Sequence, residues 1–201
     1  MASTDRDPDT ASRILDVAER LVQTRGFNAF SYADVASELN VTKAALHYHF
    51  ASKAELGEAL IDRYGTRFAE ALAAVDTQIA EPGRKLGAYA DLYLEVLRGH
   101  RMCLCGMLAA EHETLPAAMR ARVIRFLDDN EAWVARVLKQ GRKDGTLSFN
   151  GAPNDVARMI VSGLEGAMLM ARPYSDATRF QAAARALLAS LTAGAGNKSA
   201  G

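Results

Sequence analysis

The chain has 201 residues, 49% of them hydrophobic, enough to enclose a sizeable core, so a folded globular protein is expected. Its 24 basic and 24 acidic residues leave a formal net charge of +0, which removes any general attraction to nucleic acid or an anionic membrane and requires a DNA-binding surface to be local. The opening residues carry Asp5, Asp7 and Asp9 without an apolar run, the apolar stretch Val161 to Ala171 is interrupted by Glu165, and Cys103 and Cys105 are the only cysteines, so a signal peptide, a bilayer span and a disulfide scaffold are all argued against and a cytoplasmic location is expected.

Helical periodicity dominates, and Pro8, Pro82, Pro116, Pro153 and Pro173 fall between the periodic segments. The first helix is expected from about Ala11 to Arg25, capped by Thr10 or Ser12, with Ile14, Ala18, Leu21 and Val22 on one face and Gly26 ending it. Two short helices follow, then a long one from Ser52 to about Ile79 with the stripe Leu56, Leu60, Tyr64, Phe68, Leu72, Val75 and Ile79. Leu86, Tyr89, Tyr93, Val96 and Leu97 repeat the pattern, as do Val123, Phe126, Leu127, Trp133, Val134, Val137 and Leu138, with a shorter piece from Met102 to about His112 between them. Thr146 to Phe149 is the sole strand candidate, so the fold class is all-α. The expected organisation is an amino-terminal helical domain over 10–55, a longer helical domain over 56–193, and flexible tails over 1–9 and 194–201.

The stretch Ser31 to Phe50, SYADVASELNVTKAALHYHF, meets the needs of a helix-turn-helix. Ser31 is a good N-cap, Val35 and Leu39 turn inward, Ala36 is small where the helices approach, and Asn40 tolerates the left-handed turn. At about 100° per residue, Leu46 and Phe50 share the buried side of the second helix while Ala44, Ala45, His47 and Tyr48 share the opposite one. The alanines suit thymine methyls, and His47 and Tyr48 suit base edges or phosphates. Between Ala11 and Ala54 the basic side chains Arg13, Arg20, Arg25, Lys43 and Lys53 stand against Asp16, Glu19, Asp34 and Glu38, so the positive surface is a small patch.

The run ILDVAERLVQTRGF, the Ser31, Val35, Ala36 portion and VTKAALHYHFASKAEL together resemble the DNA-binding region of the TetR family of bacterial transcriptional regulators, over Ser12 to Leu60. Two positions depart from its usual pattern: His47 stands where the family has Tyr, and Tyr48 where His or another aromatic is common. The resemblance implies that Ser31, Tyr32, Thr42, Lys43, Ala44, Ala45, His47, Tyr48, His49 and Lys53 face operator DNA, with His49 nearest the core. It further implies a homodimer, paired through Val156, Met159, Ile160, Gly163, Gly166, Ala167 and Met170 on one helix and Phe180, Ala184, Leu187, Leu188 and Leu191 on the next, which places two recognition helices about 34 to 36 Å apart on a palindrome. By the same resemblance the central helices hold a small-molecule effector, with Tyr89, Tyr93, Met102, Cys103, Met107, Phe126, Trp133 and Met168 as candidate liners and Glu111 and His112 as polar contacts. The sparse charge suits an apolar or aromatic ligand. Binding is expected to shift the helical body and the long helix and so respace the two reading heads, releasing a repressor from its operator.

The segment HRMCLCGMLAAEH gathers His100, Cys103, Cys105 and His112. As a zinc site it lacks a finger spacing, and two residues apart on a helix diverge by about 200°, which also disfavours a disulfide between the cysteines. Buried packing, a redox- or electrophile-sensing thiol, and a helical enzyme using Cys103 or Cys105 with His100 or His112 as base are the remaining readings. No further catalytic signature accompanies the enzyme reading, and no metal or cofactor is expected.

Overall fold

A computed structural model describes residues 8–191, and the expectations for the remaining tail residues lie outside it. Among the described residues are α1 (Pro8–Arg25), α2 (Tyr32–Leu39), α3 (Lys43–His49), α4 (Lys53–Gln78), α5 (Pro82–Arg98), α6 (Leu104–Ala110), α7 (Ala117–Lys143), α8 (Pro153–Ala171) and α9 (Ala177–Ala189), with single 3-10 turns at His112–Thr114 and Arg172–Tyr174. The all-α reading holds. Thr146 to Phe149 is no strand: Leu147 makes one isolated bridge, and Ser148 N–H donates to Leu191 O at 2.9 Å.

Helix α1 begins at Pro8 rather than Ala11, so Thr10 and Ser12 lie inside it and cap nothing. A proline is at home in the first turn, where its missing N–H has no intrahelical partner to lose. Pro82 and Pro153 likewise open α5 and α8. Ser52 caps α4, its Oγ accepting from Glu55 N–H at 3.2 Å.

The described chain forms two compact units. The first comprises residues up to Arg67 together with Arg101–Phe126; the second comprises Phe68–His100 and the residues from Leu127 onward. In this division a central segment, Arg101–Phe126, packs with the amino-terminal helices. Helix α1 buries Ile14, Ala18, Leu21 and Val22, and α6, which packs on it, contributes the buried Leu104 and Leu108. Met102 N–H donates to Gln23 O at 3.1 Å. Gly57 leaves the room that Met119 and Phe27 fill: a Cβ there would sit 2.5 Å from Met119 Cε and 2.9 Å from the Phe27 ring.

In the second unit α5, α8 and α9 pack against one another around Ile160, Leu164, Phe180 and Ala184. A polar aromatic cluster is buried beside them. Tyr89 donates to Asn130 Oδ1 at 3.2 Å, its hydroxyl lies 3.0 Å from that of Tyr93, and its ring stacks on Trp133. Asp76 accepts from Trp133 Nε1, Lys85 and Arg136 at 3.0, 2.7 and 2.9 Å. Burial of this carboxyl works toward a higher pKa, but hydrogen bonds from Arg136, Lys85 and Trp133 outweigh it and hold the group down at about 2.

Candidate nucleic-acid interface

The entry to α2 is fixed by Asp34, whose Oδ2 accepts from the N–H and the hydroxyl of Ser31 at 2.7 and 2.6 Å. Those two bonds hold the Asp34 carboxyl below its ordinary pKa. The turn after α2 uses Asn40 in the left-handed region, at φ 55° and ψ 45°, as the sequence leads one to expect. Thr42 caps α3, its Oγ1 accepting from Ala45 N–H at 3.2 Å, and Leu46 anchors that helix in the core.

This arrangement turns Lys43, Ala44, His47 and Tyr48 outward, with Ala45 half-buried, and Tyr48 is the most open large apolar side chain of the helix-turn-helix at 53% exposure. His47 Nδ1 lies 3.1 Å from Ala51 O. A carbonyl only accepts, so Nδ1 carries the proton of this bond. His49 is half-buried and meets the Tyr48 ring edge-on at 5.3 Å, a position that matches its place nearest the core. Ser31 and Thr42 remain exposed, although the Ser31 hydroxyl donates to Asp34 and the Thr42 hydroxyl caps α3.

Two of the residues expected on DNA have their polar groups engaged within the protein. Tyr32 is buried, donates its hydroxyl to Phe50 O at 2.9 Å and packs its ring 4.7 Å from that of His47. Burial first, and the charge of Glu55 second, push its phenol up to about 12. Tyr32 therefore ties α2 to the end of α3 and supports His47 from behind. Lys53 donates from Nζ to Phe27 O and Phe30 O, both at 2.6 Å, and lies 4.5 Å from the centre of each of those phenyl rings. Its long stem lets the head reach inward, and burial lowers its pKa against the opposing pull of Glu111 and Asp34.

Glu111 completes this clamp from the other side of the loop between α1 and α2. Its Oε2 accepts from Phe27 N–H at 2.7 Å and from Asn28 N–H at 3.3 Å, while Asn28 Nδ2 donates to Thr114 Oγ1 at 2.7 Å. The carboxylate fits because Gly26, at φ 96°, carries no side chain; a Cβ there would stand 2.5 Å from Glu111 Oε1. Sequence marked Gly26 as a helix end but gave no sign that Glu111 was its partner, since the two are far apart along the chain. With Lys53 held inside and Arg20 paired with Glu38, Lys43 is the cation of α3 left without an ion-pair partner among the described residues.

The match to known proteins extends over both units. Residues 14–60 match the model described as bacterial regulatory proteins, tetR family, and residues 82–187 match the tetracyclin repressor-like C-terminal domain. The chain belongs to the TetR family. It is 30% identical to the transcriptional regulator AcuR of Cereibacter sphaeroides over 153 residues, 74% of this chain and 69% of that one. The repressor NemR of Escherichia coli K12 is 26% identical over 172 residues, 82% and 84% of the two chains. A TetR-family regulator from Agrobacterium tumefaciens superposes with a TM-score of 0.89 at 31% identity, covering 92% of this chain and 98% of that structure, and one from Legionella pneumophila gives 0.83 at 29%, covering 96% and 100%. This TetR-family chain is thus a transcriptional regulator with an amino-terminal helix-turn-helix and a helical carboxy-terminal domain.

The expected effector liners divide between the two units. Tyr89, Tyr93 and Trp133 meet in the second, where Met168 is also buried, whereas Met102, Cys103, Met107, Glu111, His112 and Phe126 lie in the first. Glu111 is engaged in the clamp. Cys103 and Cys105 are 1% and 0% exposed, the burial that the packing reading expects. Cys103 is the N-cap of α6, so it sits outside the helical spacing assumed for the pair. Among the described residues no cluster of His, Cys, Asp and Glu is arranged to hold a metal, and no helix is long and apolar enough to cross a membrane.

The expected dimer face is also divided. Val156, Ile160, Phe180, Ala184 and Leu191 are buried within the second unit, because α8 and α9 must first pack on each other and on α5. Gly163 is the contact point, where a Cβ would meet Leu187 Cδ2 at 2.9 Å. Ala167, Leu187 and Leu188 are half-buried, while Met159 and Met170, 47% and 66% exposed, and Gly166 remain outside. Leu169, missed by the sequence reading, joins them at 57%.

Proposed function

We propose that this regulator is a homodimeric repressor that occupies a palindromic operator and releases it when an apolar or aromatic small molecule binds the helical body. The observation that carries the DNA reading is the outward face of α3: Lys43, Ala44, His47 and Tyr48 exposed on a helix whose cap, turn and buried Leu46 fix its orientation. Dimerisation is supported by Met159, Leu169 and Met170, large apolar side chains left exposed on α8, since such surface is unfavourable in water. Two heads are needed because one α3 of 7 residues offers few base and phosphate contacts.

A footprint of the purified full-length chain on DNA flanking its own gene tests this. A protected two-fold symmetric site is expected, with affinity falling as salt rises. Absence of sequence-dependent, salt-sensitive protection across ionic strengths overturns the proposal. Because α3 carries one free lysine, most discrimination is expected from contacts to thymine methyls and base edges by Ala44, His47 and Tyr48, and the salt dependence should be shallow.

A further inference from the structure

The second unit contains a cavity of about 660 Å³ between α5, α9 and the segment at Thr146 and Leu147. None of the effector liners expected from sequence borders it. Its apolar walls are formed by Leu86 and Leu94 from α5, Leu147 from the loop, and Phe180 and Leu188 from α9. Small side chains keep it open: Ala90 and Ala184 line it, and a Cβ added to Gly87 would have nothing within 4 Å. Voids left by ordinary core packing seldom exceed a water molecule, whereas ligand sites span about 300 to 1,000 Å³.

The charged groups at this cavity narrow the ligand. Glu81 is already occupied, its carboxylate accepting from Gly83 N–H at 2.8 Å and Arg84 N–H at 2.6 Å as the cap of α5. Arg84 and Arg185 line the cavity, are exposed, and have no ion-pair partner among the described residues; Asp91 also lines it, a second carboxylate beside the capping Glu81. Apolar walls with two free guanidiniums at the edge match a molecule that has an apolar body and a single carboxylate, because a guanidinium binds a carboxylate through paired N–H donors.

We propose that this cavity is a binding site for an amphipathic carboxylate, with the chain lying between α5 and α9 and the acid group met by Arg84 and Arg185. Its use as the effector site rests on the repressor reading above; the binding itself does not. Its arginines call for a charged end, which distinguishes it from the uncharged apolar side chains of α8 proposed for dimerisation.

The test is calorimetric titration of the full-length chain, without DNA, using decanoate, decanol and decyltrimethylammonium below their aggregation concentrations. Saturable decanoate binding at one site per chain is expected, with decyltrimethylammonium at least tenfold weaker. Gly87→Leu, which puts a side chain into the cavity and favours the helix, should abolish decanoate binding while leaving the melting temperature at or above the parent value. Should that variant fold poorly, the exposed pair Arg84→Gln and Arg185→Gln should weaken decanoate about tenfold or more and leave decanol unaffected. No saturable binding, equal affinity for the cationic probe, or full binding by a folded Gly87→Leu variant overturns the proposal. So does sedimentation showing that Gly87→Leu converts a dimer to a monomer, which would identify a second copy of the chain as the occupant. A failed footprint with intact decanoate binding would refute the operator reading alone, and the reverse pair of results would refute the cavity alone.

Discussion

Replacing Lys53 by Met separates two roles for a lysine at the head of α4. In the structure its ammonium makes two bonds of 2.6 Å to Phe27 O and Phe30 O and lies 4.5 Å from both phenyl rings. Hydrogen bonds to a charged donor contribute about 1.5 to 3 kcal/mol each, and cation–π contacts at partly exposed sites about 0.5 to 1 kcal/mol each. The half-buried ammonium surrenders part of that to dehydration, as its lowered pKa records, and the freed carbonyls regain some water. A net loss of about 2 to 3 kcal/mol is expected, which moves the urea midpoint down by about 1 M. Urea unfolding followed by far-ultraviolet circular dichroism measures it. In parallel, the slope of log affinity against log salt on operator DNA should stay at the parent value, since a lysine that touches no phosphate releases no counterion. Unchanged stability together with a slope reduced by about one per protomer would show Lys53 to be a phosphate contact and refute the clamp.

Gly26→Ala should destabilise the protein by about 1 to 3 kcal/mol, from its positive φ and the contact with Glu111, and a melting curve matching the parent would contradict both. Tyr48→Ala and Lys43→Gln should each weaken operator binding while shifting stability by no more than about 0.5 kcal/mol, and equal affinity in both by fluorescence anisotropy would remove α3 as the reading helix. For Asp76 the folded pKa of about 2 lies below its ordinary 3.8, so its contribution is complete above pH 4 and disappears as the pH falls through 2. That contribution is about 2 kcal/mol; Asp76→Asn should lose it at neutral pH and show a flatter acid dependence, and an acid unfolding curve unchanged by the substitution would refute the assignment.

Much of the fold was legible because it is written in short-range patterns. Ile14, Ala18, Leu21 and Val22 recur at helical spacing, and Gly26 and Asn40 mark backbone conformations that other side chains resist. The direction of long amphipathic side chains is not written that way. Tyr32 and Lys53 occupy polar positions in the pattern, yet each has an apolar body that packs inward and a polar tip that finds a carbonyl. The faces of α8 and α9 posed a related difficulty, since periodicity groups Ile160 with Met159 while only packing against α5 decides which is covered. Pairings such as Gly26 with Glu111, and the cavity beside Gly87, depend on segments distant in sequence and leave no local mark.

The grip of Glu111 on Phe27 spans 84 positions of the chain. Recombination at the start of α4, a natural place to exchange one reading head for another, would cut the head from the residue that fixes the entry to its helix-turn-helix. A working chimaera should therefore carry residues 101–126 along with the amino-terminal helices, or find in the new body an acid that reaches the same two N–H groups. On the proposed reading, specificity is open to change on the outer face of α3 at little structural cost, whereas the head as a whole is inherited together with part of its body.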